Sequence, residues 1–157
     1  MILHDYQQWI DSLPQALQYV AVVVLSMLPY IELHGAAVAG SISGINPVLS
    51  VLLSITGNFL IISVCTFFAE KLNNRLGKKS DNLSVKRKKL NDRFDKYGVA
   101  GASIFGWFIL PSTIVAIIMV SVFKASKRKV MLWMLLSLLI WGVVIGSILL
   151  TANSILM

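Results

Sequence analysis

Residues 98–123, GVAGASIFGWFILPSTIVAIIMVSVF, contain no ionisable side chain, and they lie between two clusters of positive charge. Ten Lys and Arg fall between Lys71 and Lys96, and four more, Lys124, Lys127, Arg128 and Lys129, follow the segment. Positive charge beside apolar spans marks the cytoplasmic side of a membrane. With both clusters on that side, the 26 residues between them cross an even number of times, and two full crossings need about 40 residues. The segment therefore dips into the bilayer and returns, breaking at Leu110-Pro111-Ser112-Thr113. Irregular backbone at such depth persists only where protein or a water-filled cavity surrounds it.

The rest of the composition agrees with a membrane interior. The chain is 57% hydrophobic and 13% charged, about half the charge of a soluble domain. Its apolar runs approach or exceed the roughly 20 residues of a spanning helix, and the dyad alternation of a barrel is missing. An all-α integral membrane protein of the cell membrane is expected, with one membrane domain over 1–157. The net charge of +7 is topological, so no nucleic-acid partner is expected. One cysteine, Cys65, inside an apolar run supports neither a disulfide framework nor a thiolate metal site. The amino terminus lacks the positive region of a secretory signal and is expected to be retained. Tyr6 and Trp9 fit an interfacial aromatic belt, and His4 a solvated end.

From 13 to 53 the only ionisable side chains other than tyrosine are Glu32 and His34, inside LPYIELHG at 28–35. Ser12 and Pro14 predict a helix start, and Pro29 its end. Ala36, Gly40 and Gly44, four residues apart, predict one small-residue face for close helix packing. Asn46-Pro47 predicts the cap and first position of a spanning helix over 48–69. Residues 71–97 form the cytoplasmic basic loop, in which Leu83, Leu90, Phe94 and Tyr97 align at helical spacing. This is an amphipathic helix on the membrane surface or a solvated linker helix, and in both cases anionic head groups attract it. A second spanning helix is expected over 130–151, with Trp133 and Trp141 as packing or interface residues.

With no Lys or Arg before Lys71, the amino terminus belongs outside, so the helix over 48–69 runs inward. Residues 13–46 then begin and end outside, as a second re-entrant hairpin turning at 29–32. The carboxyl terminus also falls outside. An offset of 80 residues lays one half (12–70) over the other (98–157): Asn46 falls on Ser126 and Glu32 on Ser112. The fold expected is thus two re-entrant helical hairpins, each followed by a transmembrane helix, as an inverted repeat of the kind transporters use.

No Ser-His-Asp, metal-binding or phosphate-loop pattern stands in a suitable context; neither enzyme nor cofactor chemistry is expected. An acid at membrane depth is costly and is usually there for use. Low dielectric favours the neutral form of Glu32, so a cationic substrate can replace its proton. The alternative is a structural cap that accepts backbone N–H bonds. His34 titrates near neutrality and either assists or packs; two residues apart on a regular helix, the pair would not face each other. Pro29, Gly35, Pro111, Ser112 and Thr113 mark the hairpin tips, and Asn58 is a supporting polar group. Lys124, Lys127, Arg128 and Lys129 are expected to contact lipid head groups.

ELHGAAVAG with GINP, Gly57-Asn58, DKYGVAG, the Leu110-Pro111 break and a closing basic-to-apolar helix together resemble the putative small multidrug export proteins, distant relatives of the DedA family of membrane-embedded hairpins. The likeness covers nearly all of the chain from Leu28 onward. Where the family motif looks like Glu-Leu-Arg-Gly, this chain has His34. Where the second hairpin looks like Pro-Leu-Pro-Gly-Thr-Gly, it has Ile109-Leu110-Pro111-Ser112-Thr113-Ile114, and no arginine lies between Tyr97 and Lys124. The resemblance implies a transporter, with three functions open: proton-coupled export of small amphipathic or cationic molecules, a DedA-type flippase or scramblase for phosphate-bearing lipids, and a non-transporting scaffold. A homodimer is compatible with so small a chain.

Overall fold

The computed structural model describes residues 14–76 and 98–156. Their regular structure is helical, with no strand among the described residues: α1 Gln15–Ser26, α2 Glu32–Ile42, α3 Pro47–Leu76, α4 Val99–Phe105, a 3-10 turn Gly106–Phe108, α5 Ser112–Ser121 and α6 Lys127–Leu156. His4, Tyr6, Trp9, Ser12 and the amphipathic stretch over 83–97 lie outside the described residues. The side chains of 70, 72–76 and 156 do so as well.

Two helices, α3 and α6, are long and apolar enough to cross a membrane. At 30 residues each they reach about 45 Å. The others are too short: α1, α2 and α5, with 12, 11 and 10 residues, span roughly 15–18 Å of a hydrocarbon core about 30 Å thick.

Local chemistry sets these boundaries. α1 starts after Pro14, whose carbonyl accepts from Leu17 and Gln18 N–H. It ends at Ser26, two residues earlier than the apolar run implies. Met27 and Leu28 close the last turn onto Val24 and Leu25, and Pro29 has no N–H to continue it. α2 ends in a Schellman motif: Ile45 N–H donates to Gly40 O at 3.0 Å and Gly44 N–H to Ser41 O at 3.2 Å, with Gly44 left-handed at φ 85° and Ile45 buried against Ala36 and Ala39. Gly44 therefore does not extend the small-residue face of Ala36 and Gly40; it terminates the helix. Asn46 caps α3 as expected, its Oδ1 accepting from Val48 N–H at 3.0 Å and Leu49 N–H at 3.4 Å.

Both spanning helices exceed their expected bounds. α3 runs seven residues past 69 into the polar segment, across the boundary drawn at 70, because Lys, Leu, Asn and Arg all tolerate a helix and no Gly or Pro intervenes. α6 begins at Lys127 rather than 130, so its basic cluster forms its first turn. An offset of 80 residues carries Pro47 onto Lys127 and Leu76 onto Leu156, and Glu32 onto Ser112.

The chain divides into two compact units, Met1–Leu60 with Leu138–Met157, and Ile61–Ser137. In the first, Ala21, Val22 and Leu25 of α1 pack on Ala36 and Ala39 of α2 and on Ile45. Helices in lipid gain little from hydrophobic exclusion and associate through small residues and hydrogen bonds. Gly57 of α3 accordingly sits where any Cβ would strike Ser26 Oγ and the Val23 carbonyl of α1. A Cβ on Gly40 would meet Ser50 of α3 and lie 2.8 Å from Val22 Cγ2. Ser50 Oγ donates across the same interface to Ala37 O at 2.9 Å. Gly142 of α6 faces Ile55 and Val51 of α3, and Gly146 faces Val51, so the two helices run antiparallel here. In the second unit, α4 and its 3-10 turn fold back on α5, with Gly106 against Val115.

Candidate functional site

The break between α1 and α2 falls on the carboxylate. Tyr30 and Glu32 both have left-handed backbones, φ 75° and 47°, a conformation that costs a non-glycine residue of order 1–3 kcal/mol unless its surroundings enforce it. Tyr30 is turned out, 87% exposed, whereas Glu32 is buried at 6%. Its N–H donates to Leu28 O at 3.1 Å, and its side chain stands in the first turn of α2, where the helix macrodipole favours negative charge. A buried acid is thus held at the positive end of a helix too short to span the membrane.

The tip is tighter than LPYIELHG implies. Only 27–31 are non-helical, with Pro29 inside them; Gly35 lies in the first turn of α2, its N–H bonded to Ile31 O at 2.8 Å. His34 is half-buried, its ring 6.3 Å from Trp141 of α6, which gives Trp141 a definite place beside the hairpin.

Asn58 is buried on α3, one residue after the glycine that admits α1. Ser50, Ser54 and Asn58, four residues apart, form a buried polar stripe on one face of α3. Ser50 bonds to α2, and Ser54 Oγ turns back to Ser50 O at 2.8 Å. Four-residue spacing within an apolar run is the sequence mark of Ser50 and Ser54, which carry no charge to make them conspicuous.

In the second unit, Pro111 occupies the cap position of α5, and Ser112 and Thr113 are buried in its first turn rather than in the loop. The loop residues Ile109 and Leu110 follow a turn in which Trp107 stacks on Phe108 at 4.0 Å. Lys124 is left-handed at φ 57° and exposed. Lys127 Nζ lies 4.9 Å from the ring centroid of Phe67 on α3, and Arg128 and Lys129 are exposed. Among the described residues no group of three or more His, Cys, Asp or Glu is placed to hold a metal ion.

The family described as "Putative small multi-drug export protein" matches residues 32–144. The chain belongs to this family. The match to the small multi-drug export family begins at Glu32 and ends within α6, so the buried acid, the polar stripe, all of α3 and the first part of α6 lie inside it. No curated protein and no solved structure matches the chain. Family membership and the two long apolar helices make this a membrane protein, helical over its described residues.

Proposed function

We propose that the protein exports small amphipathic or cationic molecules in exchange for protons, with Glu32 as the exchanging group. The observation that carries this is the buried carboxyl at the strained entry to α2, in a chain of the small multi-drug export family. A proton and a cation can compete for such a group, since either one offsets a carboxylate charge that is costly at membrane depth. His34 and the Ser50–Ser54–Asn58 stripe, which belong to the same unit, supply further polar groups for orienting a substrate.

In this reading the two hairpins are re-entrant and the halves form an inverted repeat. The shortness of α1, α2 and α5 supports the first, and the 80-residue offset of the helix bounds supports the second. The contact of Lys127 with Phe67 supports a common, cytoplasmic side for the basic ends of α3 and α6, which leaves both termini outside.

Proteoliposomes carrying a pH gradient and a lipophilic cation such as tetraphenylphosphonium test the function. Cation efflux coupled to proton uptake is expected from the natural chain and not from Glu32→Gln. Head-group-dependent lipid movement without proton flux would replace this reading by a flippase. If neither occurs and the variant only loses stability, the protein is a scaffold.

A further inference from the structure

The paired basic ends of α3 and α6 have the shape of an amphiphile's imprint. On α3, Val64, Phe67, Phe68 and Lys71 share one face by their spacing of three and four residues, and all four are exposed, Phe68 to 63%. On α6, Arg128, Lys129, Leu132 and Leu136 share a face in the same way, Leu132 being 68% exposed. Each face is apolar along its length and cationic at its end. The Lys127–Phe67 contact joins the two ends within one unit and holds the Lys127 ammonium against an aromatic ring one turn before Lys71.

The placement of charge on α6 is not what helix stability favours. Lys127, Arg128 and Lys129 stand in its first turn with no acid among them, where the macrodipole is itself positive. An anion seated there would be attracted by three side chains and the helix end together.

We propose that this surface binds one anionic phospholipid, its phosphate held by Lys71, Arg128 and Lys129 with Lys127 beside them, and its acyl chains lying along the faces of Phe67–Phe68 and Leu132–Leu136. Charge complementarity selects an anionic lipid, and the apolar faces select a lipid over a soluble phosphate. The site uses none of the residues around Glu32 and stands whether or not Glu32 exchanges protons.

The test uses the full chain in phosphatidylcholine bilayers with a trace of tail-spin-labelled phosphatidylglycerol or phosphatidylcholine, and reads the motionally restricted fraction of each. The natural chain should prefer phosphatidylglycerol. Lys71→Gln with Arg128→Gln should reduce the preference about fivefold per charge removed, and Lys71→Arg with Arg128→Lys should keep it. Lys86→Gln with Arg87→Gln, an equal loss of charge in the basic loop, should reduce it less than the Lys71/Arg128 pair of glutamines does. No preference in the natural chain, loss in the charge-conserving pair, or equal loss in the Lys86/Arg87 pair would overturn the site in favour of diffuse attraction. Displacement of the labelled lipid by millimolar glycerol phosphate would overturn it in favour of a soluble anion.

Discussion

Gly44 and Lys124, 80 residues apart, hold the same left-handed backbone, φ 85° and 57°, each two residues before the residue that precedes a 30-residue helix. The turn into α3 is made by the residue suited to it and the turn into α6 is not. A side chain in this region crowds its own carbonyl at a cost of roughly 1–2 kcal/mol. Lys124→Gly should therefore stabilise the protein by about 1 kcal/mol, less the extra freedom glycine has when unfolded. Gly44→Ala should destabilise it by a similar amount, although a Cβ there would meet nothing within 4 Å. Thermal unfolding in detergent reads both, and a loss of stability in Lys124→Gly would show that the Lys124 side chain outweighs its strain.

Two helical glycines separate packing from propensity. A Cβ on Gly57 would drive into the Val23 carbonyl, which cannot move aside without shifting α1; a Cβ on Gly101 would meet nothing within 4 Å. Gly57→Ala should cost 1–3 kcal/mol or more, roughly the range for overpacking. Gly101→Ala should be neutral or stabilising by about 0.5–1 kcal/mol. Equal midpoints for the two variants would mean that α1 does not bear on α3 as closely as the structure has it.

Why the hairpin breaks were legible and the helix ends were not follows from what each depends on. Pro29, Pro111 and Asn46-Pro47 act through their own covalent geometry, so one residue suffices to place a break or a start. The end of α3 depends instead on five polar residues that tolerate a helix as well as a loop, and its continuation to Leu76 is decided by the rest of the fold. Gly44 shows a different limit. Its spacing from Ala36 and Gly40 suits a packing face, but its position after Ser43 suits a cap, and only the backbone angle separates the two. Glu32 stood out because a carboxylate in an apolar run is conspicuous, whereas Ser50 and Ser54, equally buried, did not.

Ser50 and Gly40 should prove energetically coupled. Ser50→Ala removes the bond to Ala37 O, a loss of about 0.6 kcal/mol by the average for interhelical bonds in membranes. Gly40→Ala forces a methyl onto the Ser50 hydroxyl and Val22 and should cost about 1–3 kcal/mol. In the double variant the hydroxyl is gone and only Val22 resists, so the combined loss should fall short of additivity by about 0.5 kcal/mol or more. Strict additivity in a double-mutant cycle read by unfolding in detergent would place the strain of Gly40→Ala on Val22 alone.

Glu32 carries two burdens that different substitutions can pull apart, a left-handed backbone and a buried carboxyl. Glu32→Gln removes the charge and leaves the strain; Glu32→Gly removes both. If the carboxyl serves exchange, the glycine variant should be more stable than the glutamine variant by about 1–2 kcal/mol, the conformational cost recovered, and neither should move protons with substrate. Glu32→Asp, which keeps the acid on a shorter stem, should retain part of the flux. A glycine variant that is stable and still couples efflux to protons would sink the exchange role. If instead both variants lose stability, with glycine no better than glutamine, the carboxyl's bonds hold the tip together and outweigh the strain, and Glu32 is a cap. The decisive comparison is therefore the order of the two stabilities set beside the two fluxes, measured on the same reconstituted preparations.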